Sequence, residues 1–204
     1  MKNKLQILNS YNSKKYEIKN RLNEFKNLLE EQQFKEFLFC LLTPQSNAQR
    51  CWLAVEELSK LSALSENSIK QILSTKTRFH HTKTKRILEA NETWKKIQPL
   101  LNANSKNKFE LRNQIAEIVN GYGLKEASHF LRNIGHSENQ IAILDRHILK
   151  NLYKLNIVKQ QKIKSKKDYL EIEKLYLNFS SSLKIPSDEL DFLWWSQENG
   201  EIFK

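Results

Sequence analysis

Val119-Asn120-Gly121-Tyr122-Gly123-Leu124-Lys125-Glu126-Ala127-Ser128-His129-Phe130-Leu131-Arg132-Asn133 is the stretch that decides the fold. It contains two of the chain's four glycines, two residues apart, between segments that both read as helix. Glycine weakens a helix interior and is used where the backbone needs positive φ or where another group comes close. A G-x-G between two helices therefore predicts a tight hairpin, spanning about residues 109–133. The amides that open its second arm have no carbonyl in the preceding turn to bond, so they predict an anion-binding end.

Lys125 falls in the first turn of that second arm, and twenty residues on Asp145 opens another helical segment, Asp145-Arg146-His147-Ile148-Leu149. A lysine on a helix is most simply a solvated residue. After a hairpin that grips phosphate, it is also a candidate nucleophile. A deprotonated amine can attack a sugar C1′ and form a Schiff base, and positive surroundings with partial burial are expected to favour the neutral amine. Asp145 is a favoured N-cap residue, and that role is compatible with chemistry. A carboxylate held by its own helix stays ionised and can stabilise an oxocarbenium-like cation. The apolar run Ile141-Ala142-Ile143-Leu144 before it predicts a shielded approach.

Outward from this block the chain reads as all-α, because Gly and Pro are few and no period-two alternation is sustained. Ile18, Leu22, Phe25, Leu28 and Leu29 share one helical face, and Phe34 to Leu42 reads as a buried central helix. Pro44, in Thr43-Pro44-Gln45-Ser46, ends that helix. Next comes an amphipathic helix with Cys51, Trp52, Val55 and Leu58 inward, then helices near 66–75 and 82–102, the latter interrupted or ended near Pro99. Leu111, Ile115, Ile118 and Val119 are expected to face inward from the first hairpin arm, and Gly135 to stop the second. A basic linker over 159–167 precedes a helix near 168–182, and the last helix starts at Pro186-Ser187-Asp188-Glu189 with Ser187 as N-cap. On that helix Trp194 and Trp195 point about 100° apart, so one is core and the other is able to stack on a base.

The 204 residues suit one unit of two small helical lobes, with ten Phe, six Tyr and four Trp to build cores. Net charge is +11, which favours a polyanionic partner, nucleic acid first, although a Lys- and Asn-rich compositional bias gives the same number. Cys40 and Cys51 lie in apolar helical contexts and are expected to be reduced core residues. Two cysteines cannot alone hold a four-cysteine iron–sulfur cluster or a structural zinc. His80-His81 lacks ligand partners at useful spacing, and His129 and His147 read as packing or phosphate-contact residues, so no metal site is expected. No signal peptide or membrane span is read at the N-terminus, and a cytoplasmic, nucleoid-associated location is expected.

The block from Val119 to Asn133, followed by Ile143-Leu144-Asp145-Arg146-His147-Ile148-Leu149, resembles the helix-hairpin-helix DNA glycosylase superfamily, and within it the second, mostly prokaryotic type of 8-oxoguanine DNA glycosylase/AP lyase. The resemblance runs from Phe34 to Lys204 and is most specific between hairpin and aspartate. It implies two mainly helical lobes with the active site in the cleft between them. By resemblance Lys125 is the nucleophile, Asp145 the catalytic carboxylate, Phe79 and Trp195 the aromatics that sandwich a flipped base, and Lys204 a terminal lysine that helps select 8-oxoguanine. Gly121, Gly123, Gln45 and His147 are the candidate DNA contacts. The implied partner is double-stranded DNA carrying oxidised guanine, bound by a monomer, with no organic cofactor and with a potassium or sodium ion at the hairpin carbonyls. The stretch Gly135 to Leu144 is about two residues longer than the family pattern, Asn120 stands where many relatives have proline, and Thr43-Pro44-Gln45-Ser46 is closer to the iron–sulfur relatives. A helix-hairpin-helix protein that binds DNA without catalysis would keep the glycines and the charge but would not need Lys125 together with Asp145. A glycosylase or lyase for another lesion is the second enzymatic alternative.

Overall fold

The computed structural model describes residues 2–103 and 105–204, which form eleven α-helices and no strand. The chain divides into two units. The central unit is Leu28–Phe130. The terminal unit is formed by the described residues up to Asn27 together with Leu131–Lys204.

The central unit contains α2 (Glu30–Leu42), α3 (Ala48–Leu58), α4 (Glu66–Lys76), α5 (His80–Leu88), α6 (Ala90–Asn102), α7 (Lys108–Ile118) and the first part of α8 (Leu124–Asn133). Its core follows from the apolar run of α2, in which Phe37 through Leu42 are all buried. Phe37 meets the rings of Trp94, Tyr122 and Phe130 at 5.7, 5.6 and 5.9 Å. Truncating one such ring to alanine costs about 3–5 kcal/mol, through lost transfer energy and the cavity left behind. Short polar side chains start the helices: Asn47, Ser65 and Asn107 each accept the amide three residues on, at 3.0, 3.1 and 3.1 Å.

The terminal unit contains α1 (Lys2–Lys26), the end of α8, α9 (Arg146–Lys154), α10 (Lys166–Leu183) and α11 (Ser187–Asn199). α1 and α11 pack through Phe25 on Phe192, ring centroids 6.1 Å apart, and the Tyr11 hydroxyl donates to Glu189 at 2.5 Å. Trp194 is core against Tyr176 and Phe179. Gly135, at φ +74, closes α8 with a left-handed turn in which the His136 amide reaches back to the Leu131 carbonyl at 2.8 Å. A Cβ at Gly135 would also lie 2.7 Å from Lys26 Cα.

Four sequence expectations need correction. The 82–102 helix is broken at Glu89, between α5 and α6, and Pro99 sits inside α6. A proline three residues before a helix end removes one bond without stopping the last turn. Leu29 is 73% exposed, since α1 ends at Lys26 and Leu29 is the cap residue just before α2. Ile118 is 39% exposed, in the last turn before the hairpin. Ser187 is the first residue of α11 rather than its cap. The cap bond comes from Asn139, whose Oδ1 accepts the Asp188 amide at 3.1 Å while its carbonyl accepts the Ser187 hydroxyl at 3.1 Å. Asn139 lies in the 135–144 loop, so that loop is fastened to the start of α11. No helix among the described residues is long and apolar enough to cross a membrane.

Candidate active site and nucleic-acid interface

The hairpin is built as the glycines require at one position and differently at the other. Gly121 has φ +100, and a Cβ there would lie 2.4 Å from Cζ and Nε of Arg86. The backbone therefore demands glycine, and the Arg86 side chain lies in the space a Cβ would take. Gly123 lies outside the left-handed region, and its amide donates to Glu126 Oε2 at 3.1 Å. Between them Tyr122 is buried, its hydroxyl donating to the Phe37 carbonyl at 2.8 Å. Burial raises its pKa well above the ordinary value, so it stays a neutral donor. The turn closes where the Tyr122 amide meets the Val119 carbonyl at 3.0 Å. The backbone N–H groups of Leu124, Lys125 and Glu126 have no partner among the described residues. They are the open, partly positive end of α8, suited to an anion.

Lys125 is partly buried, its side chain 27% exposed, with Nζ 2.8 Å from Glu126 Oε1. One carboxylate therefore caps the hairpin through Oε2 and pairs with the candidate nucleophile through Oε1. An expectation built only on cationic surroundings left this partner out. The cations are present as well: Arg78, Arg86 and Lys125 all act electrostatically on the buried Lys83.

Asp145 adopts extended backbone at the head of α9 and caps it in the expected way. Its Oδ1 accepts the amides of His147 and Ile148, both at 2.8 Å. No hydrogen bond among the described residues uses Oδ2. Ile141 to Leu144 before it are all buried, and the Ala142 amide donates to Glu173 at 2.8 Å, so the segment delivering Asp145 is fixed at both ends. His147 accepts from Arg146 Nε at 3.2 Å and lies 3.7 Å from Glu198, which also binds Lys150.

Trp195 is half-buried and stacks on Phe203 at 6.3 Å. The tail beyond α11 packs back onto α1: Arg21 Nε donates to the Phe203 carbonyl at 2.8 Å, and Lys204, 5% exposed, holds Nζ 5.7 Å from the Phe25 ring centre. In the central unit Gln45 and Phe79 are both exposed and both left-handed, at φ +56 and +57. For a bulky aromatic this is an outlier, and such strain concentrates at ligand-contacting sites.

The structure thus gathers Gly121, Gly123, Lys125, Gln45 and Phe79 in the central unit, and Asp145, His147, Trp195 and Lys204 in the terminal unit. Sequence reading missed Tyr122, Glu126, Arg86 and Lys83. An aromatic between two glycines of a turn is a signal for the first, since it needs a pocket. Lys83 stands one helical turn before the buried Ile87, on the inward stripe of α5.

A sequence model of the family described as 8-oxoguanine DNA glycosylase matches residues 18–185. The chain is 40% identical over 197 residues to the 8-oxoguanine DNA glycosylase/AP lyase of Fusobacterium nucleatum, covering 91% of this chain and 90% of that one. It is 32% identical over 183 residues to the protein of the same name from Methanocaldococcus jannaschii, covering 88% and 86%. The crystal structure of the Methanocaldococcus jannaschii 8-oxoguanine glycosylase/lyase in complex with a 15mer DNA containing 8-oxoguanine is similar over 100% of both chains, with TM-score 0.88 and 31% identity. The 8-oxoguanine DNA glycosylase of Thermotoga maritima is similar over 100% of this chain and 99% of that one, with TM-score 0.88 and 27% identity.

Proposed function

The chain belongs to the 8-oxoguanine DNA glycosylase family, and from that premise we propose that it excises 8-oxoguanine from DNA through Lys125 and Asp145 and then nicks the abasic site. The observation that supports this reading is that Asp145 keeps one carboxylate oxygen uncommitted while capping its own helix, in a chain that also carries an amine, Lys125, behind an open helix end. A protein that only binds DNA would use the open helix end but would not need Lys125 together with Asp145.

The target base must leave the stack before its glycosidic bond is reachable. The free amides of α8 and the basic residues around them grip the backbone. Phe79 and Trp195 offer aromatic faces to the extruded base. Lys125 opens its ion pair with Glu126 and gives up one proton to solvent, and the resulting neutral amine attacks C1′. The electrons of the C1′–N9 bond leave with the base, which takes up a proton. Asp145, held in place by its own helix, stabilises the positive charge that develops on the sugar. Ring opening gives a Schiff base on Lys125, and loss of a C2′ proton expels the 3′ phosphate by β-elimination.

No organic cofactor enters these steps. A potassium or sodium ion at the hairpin would find backbone carbonyls between Ile118 and Gly123; that of Val119 already accepts the Tyr122 amide and keeps its second lone pair. Such an ion would add positive charge beside a DNA phosphate. The partner is double-stranded DNA with oxidised guanine, met by a monomer in the nucleoid region of the cytoplasm. The net charge of +11 supports the DNA partner.

The test is borohydride trapping on a duplex containing one 8-oxoguanine, with wild type and Lys125→Gln side by side. Wild type should form a covalent adduct and a nicked strand. Lys125→Gln should give neither, while still binding the duplex. An adduct at wild-type level in the variant removes Lys125 as nucleophile. No adduct with wild type on this lesion, but one on another oxidised base, moves the substrate and keeps the mechanism.

A further inference from the structure

Lys83 is a buried ammonium that the proposed chemistry does not use. It is 1% exposed, and each of its three N–H groups has an acceptor: the Leu42 carbonyl at 2.7 Å, the Pro44 carbonyl at 3.0 Å and Ser46 Oγ at 2.8 Å. All three acceptors lie in or beside the Thr43–Ser46 turn that carries Gln45. The backbone amide of Lys83 donates to the Phe79 carbonyl at 3.1 Å. Ser46 Oγ also accepts the Arg78 amide, at 2.9 Å. One lysine and one hydroxyl therefore join the two turns whose exposed residues, Gln45 and Phe79, hold left-handed backbone.

We propose that Lys83 and Ser46 are positioning residues for DNA recognition, locking the Gln45 turn and the Phe79 turn together so that both side chains are preset before the duplex arrives. The proposal rests on the DNA-repair reading for the identity of the ligand, but its structural half stands on this network alone.

Two arguments carry it. Left-handed backbone at a non-glycine residue is strained and persists only where its surroundings over-determine it. Here the over-determining contacts are identifiable, and they converge on one nitrogen and one oxygen. Second, a buried charge is costly unless fully bonded, and a leucine or methionine would fill α5's inward stripe without that cost. Burial pushes the Lys83 ammonium down to about 8, helped by Arg86, Arg78 and Lys125 and opposed by Cys51. The charge is kept where it fastens two exposed, strained turns. Preset contacts also reduce the ordering entropy lost on binding.

Ser46→Ala removes the oxygen shared by the two turns and leaves the two carbonyl bonds of Lys83 in place. Ser46→Thr retains a hydroxyl and serves as rescue. Lys83→Met keeps the volume and removes all three side-chain bonds. Two substrates separate recognition from chemistry: a duplex with one 8-oxoguanine, and a single-stranded oligonucleotide with a preformed abasic site, which has neither a second strand for Gln45 to address nor a base for Phe79 to stack on. Ser46→Ala should lose about tenfold on the duplex, the size of one lost hydrogen bond, while strand cleavage at the single-stranded site stays within about twofold. Ser46→Thr should restore the duplex activity. Hydrogen exchange of the Arg78 amide, which needs no DNA, should accelerate in both Ser46→Ala and Lys83→Met. Unchanged Arg78 protection in folded variants overturns the structural half. Unchanged duplex activity, or equal loss on both substrates, overturns the role in recognition. If wild type acts on neither substrate, the DNA-repair reading fails, and the exchange experiment still decides whether Lys83 and Ser46 hold the two turns.

Discussion

Glu126 holds Lys125 and the hairpin with the same carboxylate: Oε1 lies 2.8 Å from Lys125 Nζ, and Oε2 accepts the Gly123 amide at 3.1 Å. The ion pair is a resting arrangement, because an ammonium has no lone pair with which to attack. Glu126→Gln keeps an acceptor for Gly123 and removes the charge that holds the ammonium. Trapping on a preformed abasic site should then proceed at or above the wild-type rate, with thermal stability lowered by about 1 kcal/mol or less. A drop of about tenfold or more in trapping, roughly 1.4 kcal/mol, would instead place Glu126 in the chemistry as a proton carrier.

Asp145→Asn separates capping from charge. Asparagine still presents Oδ1 to the His147 and Ile148 amides, so α9 should start as before. The negative charge that would face the cationic sugar is gone. Single-turnover excision should fall by far more than about tenfold, while melting temperature and lesion binding change little. A smaller loss would reduce Asp145 to a structural cap.

The parts of this molecule that sequence made legible are those where one residue type answers a local demand. Gly121 reads as a turn because only glycine suits φ +100 beneath Arg86, and Asp145 reads as a cap because it precedes a helical run. The aspartate's uncommitted oxygen, by contrast, follows from Oδ1 taking both amides, which no pattern announces. Asn139 as the cap of α11 was hidden because it acts across 49 positions in sequence, and the nearer Ser187 satisfied the local rule. Lys83 is not legible in the sequence, because a lysine among lysines looks like solvent-facing charge and its burial depends on the carbonyls of Leu42 and Pro44, 41 and 39 residues away.

Lys83 also makes stability depend on pH in a defined direction. Its folded pKa is lowered to about 8 from 10.5 because burial disfavours the charged form. The unfolded chain therefore binds the proton more tightly between these values. The depressed group adds stability that is present above pH 10.5 and is lost as pH falls through about 8. Denaturant melts of wild type and Lys83→Met at pH 7 and at pH 10 should show wild type gaining relative to the variant on the alkaline side, by on the order of 2–3 kcal/mol. Taking the difference cancels the buried tyrosines, which titrate in both proteins. A constant difference between the two proteins would mean the Lys83 charge is not held at a cost.

DNA affinity should fall steeply with salt. The +11 charge and the open amides of α8 are both suited to phosphates. If roughly four or more phosphates are contacted, the log–log slope of the binding constant against salt is about −3 or steeper. A nearly flat response would leave the charge as compositional bias and the α8 amides without a ligand.

Lys204 is the residue on which lesion choice should turn. It follows Gly200, which at φ +85 ends α11, and the segment after it is held rather than loose: Phe203 stacks on Trp195 and offers its carbonyl to Arg21. Lys204 itself is 5% exposed, with its ammonium 5.7 Å from the Phe25 ring centre. A lysine is rarely buried this fully, so its burial calls for a reason. The same stack joins it to Trp195, the aromatic face proposed for the base, and a polar group aimed at a base edge can discriminate strongly between bases. Lys204→Ala should therefore reduce 8-oxoguanine excision well beyond any loss at a preformed abasic site, where Lys125 acts without a base to recognise. Both rates, measured with the melting temperature, decide the matter. Equal losses with a lowered melting temperature would show that Lys204 only fills space against Phe25, and unchanged rates would show that the tail takes no part in recognition.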